Sequence, residues 1–318
     1  MKRSYLSTLS ILTLLFCFKA APSPLQNGFP VNAVGRSSSS IYFNDSGPDL
    51  IILGNSFWEV AFRKTNGSIA YLTDHKIGGQ LSSGSRNECL WGAVDQADLF
   101  YIGGCSYNKD WNNHFSYAWA SATNALTLFY NTDPLSADQF ITTVRVIASE
   151  NDYFDMQMSA QEHYGDSRLF DWLLFPSDLY FTKADVKGVL LPLLPGVVLK
   201  PGFFTDNRNY SWNYPGYPGS FADYIAFSTN HGELAIYSLY NGSSLQPVAS
   251  TIIGNESGHL DTYYVVHNFG AMLKPNQNWT SPLVRFRFSR SWPETILDYR
   301  TDNRLDQFTS IQEKLGSL

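Results

Sequence analysis

Alternating apolar and polar residues dominate the middle of the chain. Residues 142–148 (TTVRVIA) and 155–160 (DMQMSA) alternate with a period of two. In 284–288 (VRFRF), Val284, Phe286 and Phe288 share one side while two arginines occupy the other. A period of two places successive side chains on opposite faces of a strand. These segments are therefore predicted to be β-strands with one buried face.

Turn residues separate further apolar segments, as at Gly54-Asn55, Asn66-Gly67 and Asn230-His231-Gly232. The sequence contains neither a βαβ alternation nor a glycine-rich phosphate loop. We therefore expect a mostly β fold, a large antiparallel two-sheet sandwich over residues 49–290. Its strands are predicted at residues 50–53, 57–63, 69–72, 115–120, 125–130, 141–148, 154–160, 169–176, 178–181, 224–228, 233–240, 262–268 and 284–289.

The tail changes to helical signals over residues 291–318. Ser291 and Glu294 have the spacing of a capping box, with Pro293 in the first turn. Residues 301–303 are expected to end this helix, and a second capping box follows at 310–313. Two interpretations remain open: a frayed terminal helix, or a helical connector that leads into another domain.

The N-terminus has the pattern of a secretory signal peptide over residues 1–21. Lys2 and Arg3 precede an apolar run at 9–18, and Ala20 and Ala21 lie near a plausible cleavage site. A buried N-terminal helix is the alternative. Residues 22–48, rich in Ser, Pro, Gly and Asn, are predicted to be a flexible leader. The signal peptide predicts an extracellular protein, and no membrane contact is expected because no later apolar run has the length of a membrane span.

The cysteines and the N-glycosylation sequons agree with the prediction that the protein is secreted. Removal of Cys17 with the signal peptide leaves Cys89 and Cys105, which we expect to form a disulfide; two separate thiols are the alternative. Neither has neighbours at zinc spacing, so no metal is predicted. N-glycosylation is predicted at the sequons of Asn44, Asn66, Asn209, Asn241, Asn255 and Asn278.

Composition restricts the partners. There are 22 Lys and Arg against 28 Asp and Glu, and charged residues make up only 16% of the chain against 15% aromatic residues. Nucleic acid is excluded as an expected partner because no basic stripe is present. Low charge with many aromatic residues is typical of an extracellular β protein.

A block at residues 190–227 concentrates prolines, glycines and aromatic side chains. Within it, Trp212, Tyr214 and Tyr217 are candidates for contact with carbohydrate or with another domain. Trp111 and His114, in a polar loop after the predicted disulfide, are further candidates. The alternative is that the aromatic rings of the block pack onto the sheet and close the core.

No catalytic pair emerges from the carboxylates. A glycoside hydrolase needs two carboxylates at a fixed separation, and nothing in the spacing selects two of the six candidates. No serine hydrolase, zinc protease or calcium-binding motif is present, and no cofactor is predicted. The six carboxylates are Glu59, Glu162, Asp171, Asp223, Glu233 and Asp261.

Four segments carry a resemblance to a known family: LLPLLPGVVLKPGFF (190–204), YPGYPGSFADYIAF (214–227), GELAIYSLY (232–240) and the stretch at 289–316. They resemble the N-terminal region of large secreted fungal proteins related to glycoside hydrolases. The resemblance implies a galactose-mutarotase-like β-supersandwich ahead of a (β/α)8 catalytic barrel. In that architecture the barrel supplies the catalytic carboxylates, so no catalytic residue carries over to this sequence.

The main functional hypothesis is a secreted, non-catalytic β-sandwich module that packs on a catalytic barrel domain or contacts carbohydrate. One alternative is a self-sufficient carbohydrate-active enzyme, namely a mutarotase or epimerase, a lyase or a glycosidase. The other is a structural cell-wall glycoprotein.

Overall fold

In a computed structural model, the described residues form 22 strands and one α-helix. The structure describes residues 40–84, 90–95, 100–103, 114–131, 140–163, 170–177, 179–193, 196–204, 209–215, 220–240, 248–254, 259–273 and 276–307. All of them belong to the second of two compact units, Ser38–Leu318. The strands are β1 (Tyr42–Asn44), β2 (Leu50–Gly54), β3 (Trp58–Arg63), β4 (Ile69–Asp74), β5 (Gly79–Ser82), β6 (Gly92–Asp95), β7 (Phe100–Gly103), β8 (His114–Ala120), β9 (Ala125–Asn131), β10 (Phe140–Ala148), β11 (Tyr153–Glu162), β12 (Phe170–Leu174), β13 (Leu179–Thr182), β14 (Val186–Leu191), β15 (Val197–Leu199), β16 (Asn209–Tyr214), β17 (Tyr224–Thr229), β18 (Gly232–Leu239), β19 (Val248–Gly254), β20 (His259–Leu273), β21 (Asn278–Thr280) and β22 (Leu283–Phe288).

The strands form antiparallel sheets that build two layers. One layer is a ten-stranded sheet in the order β15-β14-β17-β18-β22-β11-β10-β9-β8, with β21 also paired to β11. The other contains a five-stranded sheet, β1 to β5, and a seven-stranded sheet, β16-β19-β20-β12-β6-β7, with β13 paired to β20. Backbone bonds join these two sheets, from Ser83 N to the Tyr180 carbonyl (3.2 Å) and from Tyr180 N to the Gly84 carbonyl (2.8 Å). The expected mostly β, antiparallel sandwich is confirmed.

The core lies between the layers and is built from alternate residues of the strands. In the five-stranded sheet, Trp58 packs on Phe154 of the ten-stranded sheet with ring centroids 4.9 Å apart. In the seven-stranded sheet, Phe181 stacks on Phe227 of the ten-stranded sheet at 4.2 Å. Because the alternation places every second side chain inward, the remaining side chains form the outer face of each sheet.

Helix α1 spans Trp292–Asp302 and covers part of the outer face of the ten-stranded sheet. Glu294 accepts hydrogen bonds from the backbone N–H (2.9 Å) and the hydroxyl (2.7 Å) of Ser291, as the capping box predicts. Asn303 follows the last helical residue and ends the helix where the sequence indicates. Under the helix lies a second apolar cluster that includes Tyr224, Tyr237 and Tyr299. The second capping box, at 310–313, lies outside the described residues.

Three features differ from the expectations. Strand β1 lies inside the segment 22–48 that the sequence assigns to a leader, because it pairs with β2. The aromatic block is partly regular, since it contains β15, β16 and a 3-10 turn at Pro201–Phe204. The strands β5, β6, β7, β14, β19 and β21 were not predicted either; all except β19 are only three to six residues long, so their own sequence does not specify them without their neighbours. No helix among the described residues is long and apolar enough to cross a membrane.

Candidate functional site

The predicted contact residues are separated in the structure. Trp212 is only 6% exposed and belongs to the main core, which favours the packing role that the sequence left open. Tyr214 is half-buried at the end of β16. His114 is exposed at the start of β8, in the other half of the chain. Trp111 and Tyr217 lie outside the described residues, so their role stays a prediction.

The secretion-related residues are described only in part. Asn44 and Asn278 are exposed, and Asn66 is half-buried in the Asn66-Gly67 turn, where Gly67 adopts a φ of 67°. The side chain of Asn209 and all of Asn241 and Asn255 lie outside the described part of the chain, as do Cys89 and Cys105. Glycosylation and the disulfide therefore stay predictions.

The carboxylates do not form a hydrolytic pair where the structure describes them. Asp223 and Glu233 lie near opposite ends of the β17–β18 hairpin, where Ser228 opposes Glu233 and Ser238 N bonds the Asp223 carbonyl. Five residues of strand, at about 3.4 Å each, separate them by about 17 Å. Glycosidase carboxyl groups lie about 5–9.5 Å apart.

The other carboxylates lie elsewhere. Glu59 is on the outer face of the five-stranded sheet, where it accepts hydrogen bonds from the hydroxyls of Tyr42 (2.5 Å) and Tyr71 (2.7 Å). Glu162 is fully buried at the end of β11. The side chains of Asp171 and Asp261 are outside the described part. In that part, no group of three or more His, Cys, Asp or Glu residues could hold a metal ion.

A buried ionic network attaches α1 to the outer face of the ten-stranded sheet. Arg285 on β22 donates to Asp155 from Nε (2.8 Å) and Nη2 (2.9 Å), and to Asp302 of the helix from Nη1 (2.8 Å). Its guanidinium also lies 3.7 Å from the ring centre of Tyr153. Burial opposes the charge, but the bonds to Asp155 and the charge of Asp302 outweigh it and raise the pKa of Arg285.

Two more arginines extend the network along the helix. Arg287 Nε lies 3.2 Å from Asp298 Oδ2, and its Nη1 lies 3.1 Å from Asp302 Oδ2. Arg290 Nε lies 2.8 Å from Asp298 Oδ2 and 3.4 Å from Asp152 Oδ2. These charges are shielded from solvent and paired, so the network holds the helix in place and offers no access to a ligand.

A tyrosine cluster surrounds Asp223 where the aromatic block meets the end of α1. The Tyr240 hydroxyl donates to Asp223 Oδ2 (2.8 Å), and the Tyr299 hydroxyl accepts a hydrogen bond from the Asp223 backbone N–H (3.2 Å). Tyr214 in turn hydrogen-bonds Tyr299. Burial raises the pKa of Asp223, and hydrogen bonds from Ser238 and Tyr240 counteract part of the rise.

Replacement of the Asp223 carboxyl tests whether its pKa is raised in the folded protein. Because the folded-state pKa is raised, the contribution of Asp223 to stability is complete below the unfolded-state value and is lost as the pH rises through the folded-state value. The free energy of unfolding of Asp223→Asn, measured by urea denaturation, should therefore rise relative to that of the parent as the pH is raised from 3.5 to 7.5. Asp49→Asn, at an exposed position, is the control. If the free energies of unfolding of Asp223→Asn and the parent change in parallel with pH, the raised pKa of Asp223 is contradicted.

The half of the ten-stranded sheet that α1 does not cover presents a continuous outer surface, which we call the open face. It consists of outward side chains of β8, β9, β10, β11 and β21, which lie in rows because the strands pair in register. The first row is His114, Asn131, Ile141, Gln161 and Asn278; the second is Ser116, Phe129, Thr143, Ser159 and Thr280; the third is Ala118, Thr127, Arg145 and Gln157.

A pocket of about 300 Å³ indents the open face beside β21. Its outward lining includes Thr143, Ser159, Gln161 and Thr280, and the Ser159 and Thr280 hydroxyl oxygens are 3.1 Å apart. The volume is at the lower end of the range for small-molecule sites. The open face therefore offers a small concave site in which neutral hydrogen-bonding groups lie beside apolar side chains such as Ile141.

The sequence analysis missed this surface, although it named His114 and Asn278. The signal was present in the polar positions of the predicted strands at 125–130, 141–148 and 154–160, which are hydroxyl or amide side chains more often than charged ones. Strand order, which the alternation does not give, is what places these positions side by side.

Comparison with known proteins yields matches in structure only. No protein-family model and no curated protein sequence matches the chain. The α-N-acetylgalactosaminidase NagBb from Bifidobacterium bifidum is similar with a TM-score of 0.57 and 10% identity over 82% of this chain and 40% of that chain. The galactosidase domain of the α-galactosidase-sucrose kinase AgaSK has a TM-score of 0.50 and 10% identity, over 79% and 42% of the two chains.

A galactose mutarotase-like protein from Lactobacillus casei gives a TM-score of 0.49 with 9% identity, over 75% of this chain and 99% of that chain. This chain spans only 40% and 42% of the two chains with the galactosaminidase and galactosidase activities. At such identities the likeness shows the fold alone. The predicted similarity of fold to proteins related to glycoside hydrolases is confirmed; fungal origin and secretion stay predictions.

Proposed function

We propose that this chain is a secreted, glycosylated β-sandwich module of a carbohydrate-active protein. It contacts carbohydrate or packs on a catalytic domain and does not hydrolyse sugars itself. The observation that carries the proposal is that most of this chain matches a minor part of longer glycosidase chains. In both enzymes, more than half of the chain lies outside the part that matches this protein.

The arrangement of those candidate carboxylates whose side chains the structure describes supports the non-catalytic role. Asp223 is 4% exposed and is enclosed by tyrosines, so a substrate has no direct access to it. Glu233 is about 17 Å away along the hairpin. Glu59 lies in the other layer and is engaged by Tyr42 and Tyr71. General acid catalysis needs a carboxyl within hydrogen-bond reach of the reacting oxygen, together with a partner at fixed separation.

A turnover assay tests the proposal. The purified chain is incubated with a panel of polysaccharides and aryl glycosides, alongside Glu59→Gln, Asp223→Asn and Glu233→Gln. We expect no turnover above the background of the buffer, and no difference among the four proteins. Turnover by the parent that disappears in one carboxylate variant would identify an enzyme and overturn the proposal.

A further inference from the structure

The open face is hydrophilic but nearly uncharged. Among its described side chains, hydroxyls and amides predominate, and only His114 and Arg145 are ionisable. Hydroxyls donate and accept hydrogen bonds, and amides offer both a carbonyl oxygen and an NH₂ group. A surface of this kind complements a ligand that carries many neutral donors and acceptors.

An aromatic ring lies beside the pocket. Phe129 is 39% exposed and is the cross-strand neighbour of Thr143, which lines the pocket. Adjacent strands are about 4.8 Å apart, so the ring begins one strand beyond the pocket wall. Solvent exposure of a large ring beside a polar pocket provides a flat apolar platform next to hydrogen-bonding groups.

We infer that the open face binds neutral carbohydrate, with one sugar unit in the pocket and a neighbouring unit on the Phe129 ring. This inference rests on the proposed function and assigns its carbohydrate contact to a place. Thr143, Ser159 and Gln161 provide the hydrogen bonds to the sugar hydroxyls. The five strands of the face span about 19 Å at about 4.8 Å per strand, so the surface accommodates an extended oligosaccharide.

Other occupants fit the chemistry less well. A nucleic acid requires a cluster of lysines and arginines, and the open face has one arginine, Arg145. The core of a protein interface is rich in aromatic residues, methionine and arginine and depleted in serine. The open face has one exposed aromatic ring and several hydroxyl side chains, so a carbohydrate is the occupant that its charge and polarity match.

The sequon at Asn278 gives the inference a second consequence. Asn278 and Thr280 line the pocket, so an N-glycan on Asn278 would start at the pocket itself. Such a glycan would block the site or occupy it in place of a free ligand. Binding is therefore expected in protein made without N-glycans, and weaker binding in protein that carries a glycan on Asn278.

The test uses affinity gel electrophoresis of the full chain made in bacteria, with starch, hydroxyethyl cellulose, mixed-linkage β-glucan and galactan as separate probes. We expect retardation on at least one probe. On that probe, Phe129→Ala should weaken binding about tenfold, the size of effect typical of a residue that anchors a binding surface. Gln161→Ala should also weaken it, and unchanged melting temperatures would show that both variants fold.

Phe221→Ala is the matched control, because Phe221 is an exposed aromatic residue (45%) in the aromatic block and lies off the open face. It should bind like the parent. Normal binding by Phe129→Ala and Gln161→Ala overturns the inference, and loss of binding in Phe221→Ala alone places the site in the aromatic block. The inference is also overturned if no probe retards the parent chain. That result leaves the proposed function in place, because only turnover overturns the proposed function.

Discussion

Trp58→Ala is expected to destabilise the sandwich by about 3–5 kcal/mol, the usual cost of removing a large aromatic side chain from a core. Trp58 is fully buried, and its ring packs on Phe154 (4.9 Å) and Phe288 (6.1 Å) of the opposite sheet. The indole N–H also donates to the Asn151 carbonyl at 2.9 Å. The substitution therefore removes contacts between the layers and leaves a cavity that the neighbouring rings cannot fill.

Trp58→Phe separates packing from hydrogen bonding. It keeps a ring in the core, and the Asn151 carbonyl keeps a hydrogen bond from Asn55 Nδ2 at 2.8 Å. The smaller ring should therefore cost clearly less than alanine. Phe129→Ala, at an exposed aromatic residue, should change stability by no more than about 0.5 kcal/mol. The measurement is the free energy of unfolding in urea. Equal losses for Trp58→Ala and Phe129→Ala would contradict the assigned core.

The second large effect is expected at the buried ionic network. Arg285→Ala should cost about 3–5 kcal/mol, because removal of one partner leaves the other charge buried and unpaired. Arg285 and Asp155 are 9% and 8% exposed, so water cannot replace the lost bonds effectively. The loss should also loosen α1, since Arg285 links Asp155 on the sheet to Asp302 at the end of the helix.

A double variant separates the cost of losing the whole Arg285–Asp155 ion pair from the cost of leaving one of its charges unpaired. Arg285→Met with Asp155→Leu replaces both charges by apolar side chains, so it should be more stable than Arg285→Ala, since buried ion pairs replaced together often cost little. Arg145→Ala, at an exposed arginine on the same sheet, controls for the loss of a positive charge. Urea unfolding gives the stabilities. Arg285→Met and Asp155→Leu are also measured singly, and a double variant that loses as much as these two single variants together would show that the two ions are not coupled.

Local patterns were sufficient for the elements with strong alternation. The prediction at 141–148 corresponds to β10, and the prediction at 154–160 to β11, with the two strands paired along their length. The capping residues Ser291 and Glu294 likewise defined the start of α1. In these places the hydrophobic period and the cap are properties of the segment itself, so the sequence alone reports them.

Longer-range features needed the folded chain. The alternation in 284–288 shows that Arg285 and Arg287 face away from the core, but it does not show that a helix brings Asp298 and Asp302 over them. Trp212 is a second example. A tryptophan in a Pro-rich and Gly-rich segment gives no sign of whether its ring is buried or exposed. Burial depends on which strands become neighbours, and that is decided between segments far apart in the sequence.

By itself, the sequence determined the β class, the antiparallel strands with one buried face and the C-terminal helix, because hydrophobic period and capping act over a few residues. Only the tertiary structure decided that α1 closes one half of the ten-stranded sheet and that no described element covers the open face. That outcome depends on strand order and on ion pairs between residues far apart in the sequence, such as Arg285 and Asp155, which are 130 positions apart. Such contacts form only when the layers pack, so no local pattern encodes them.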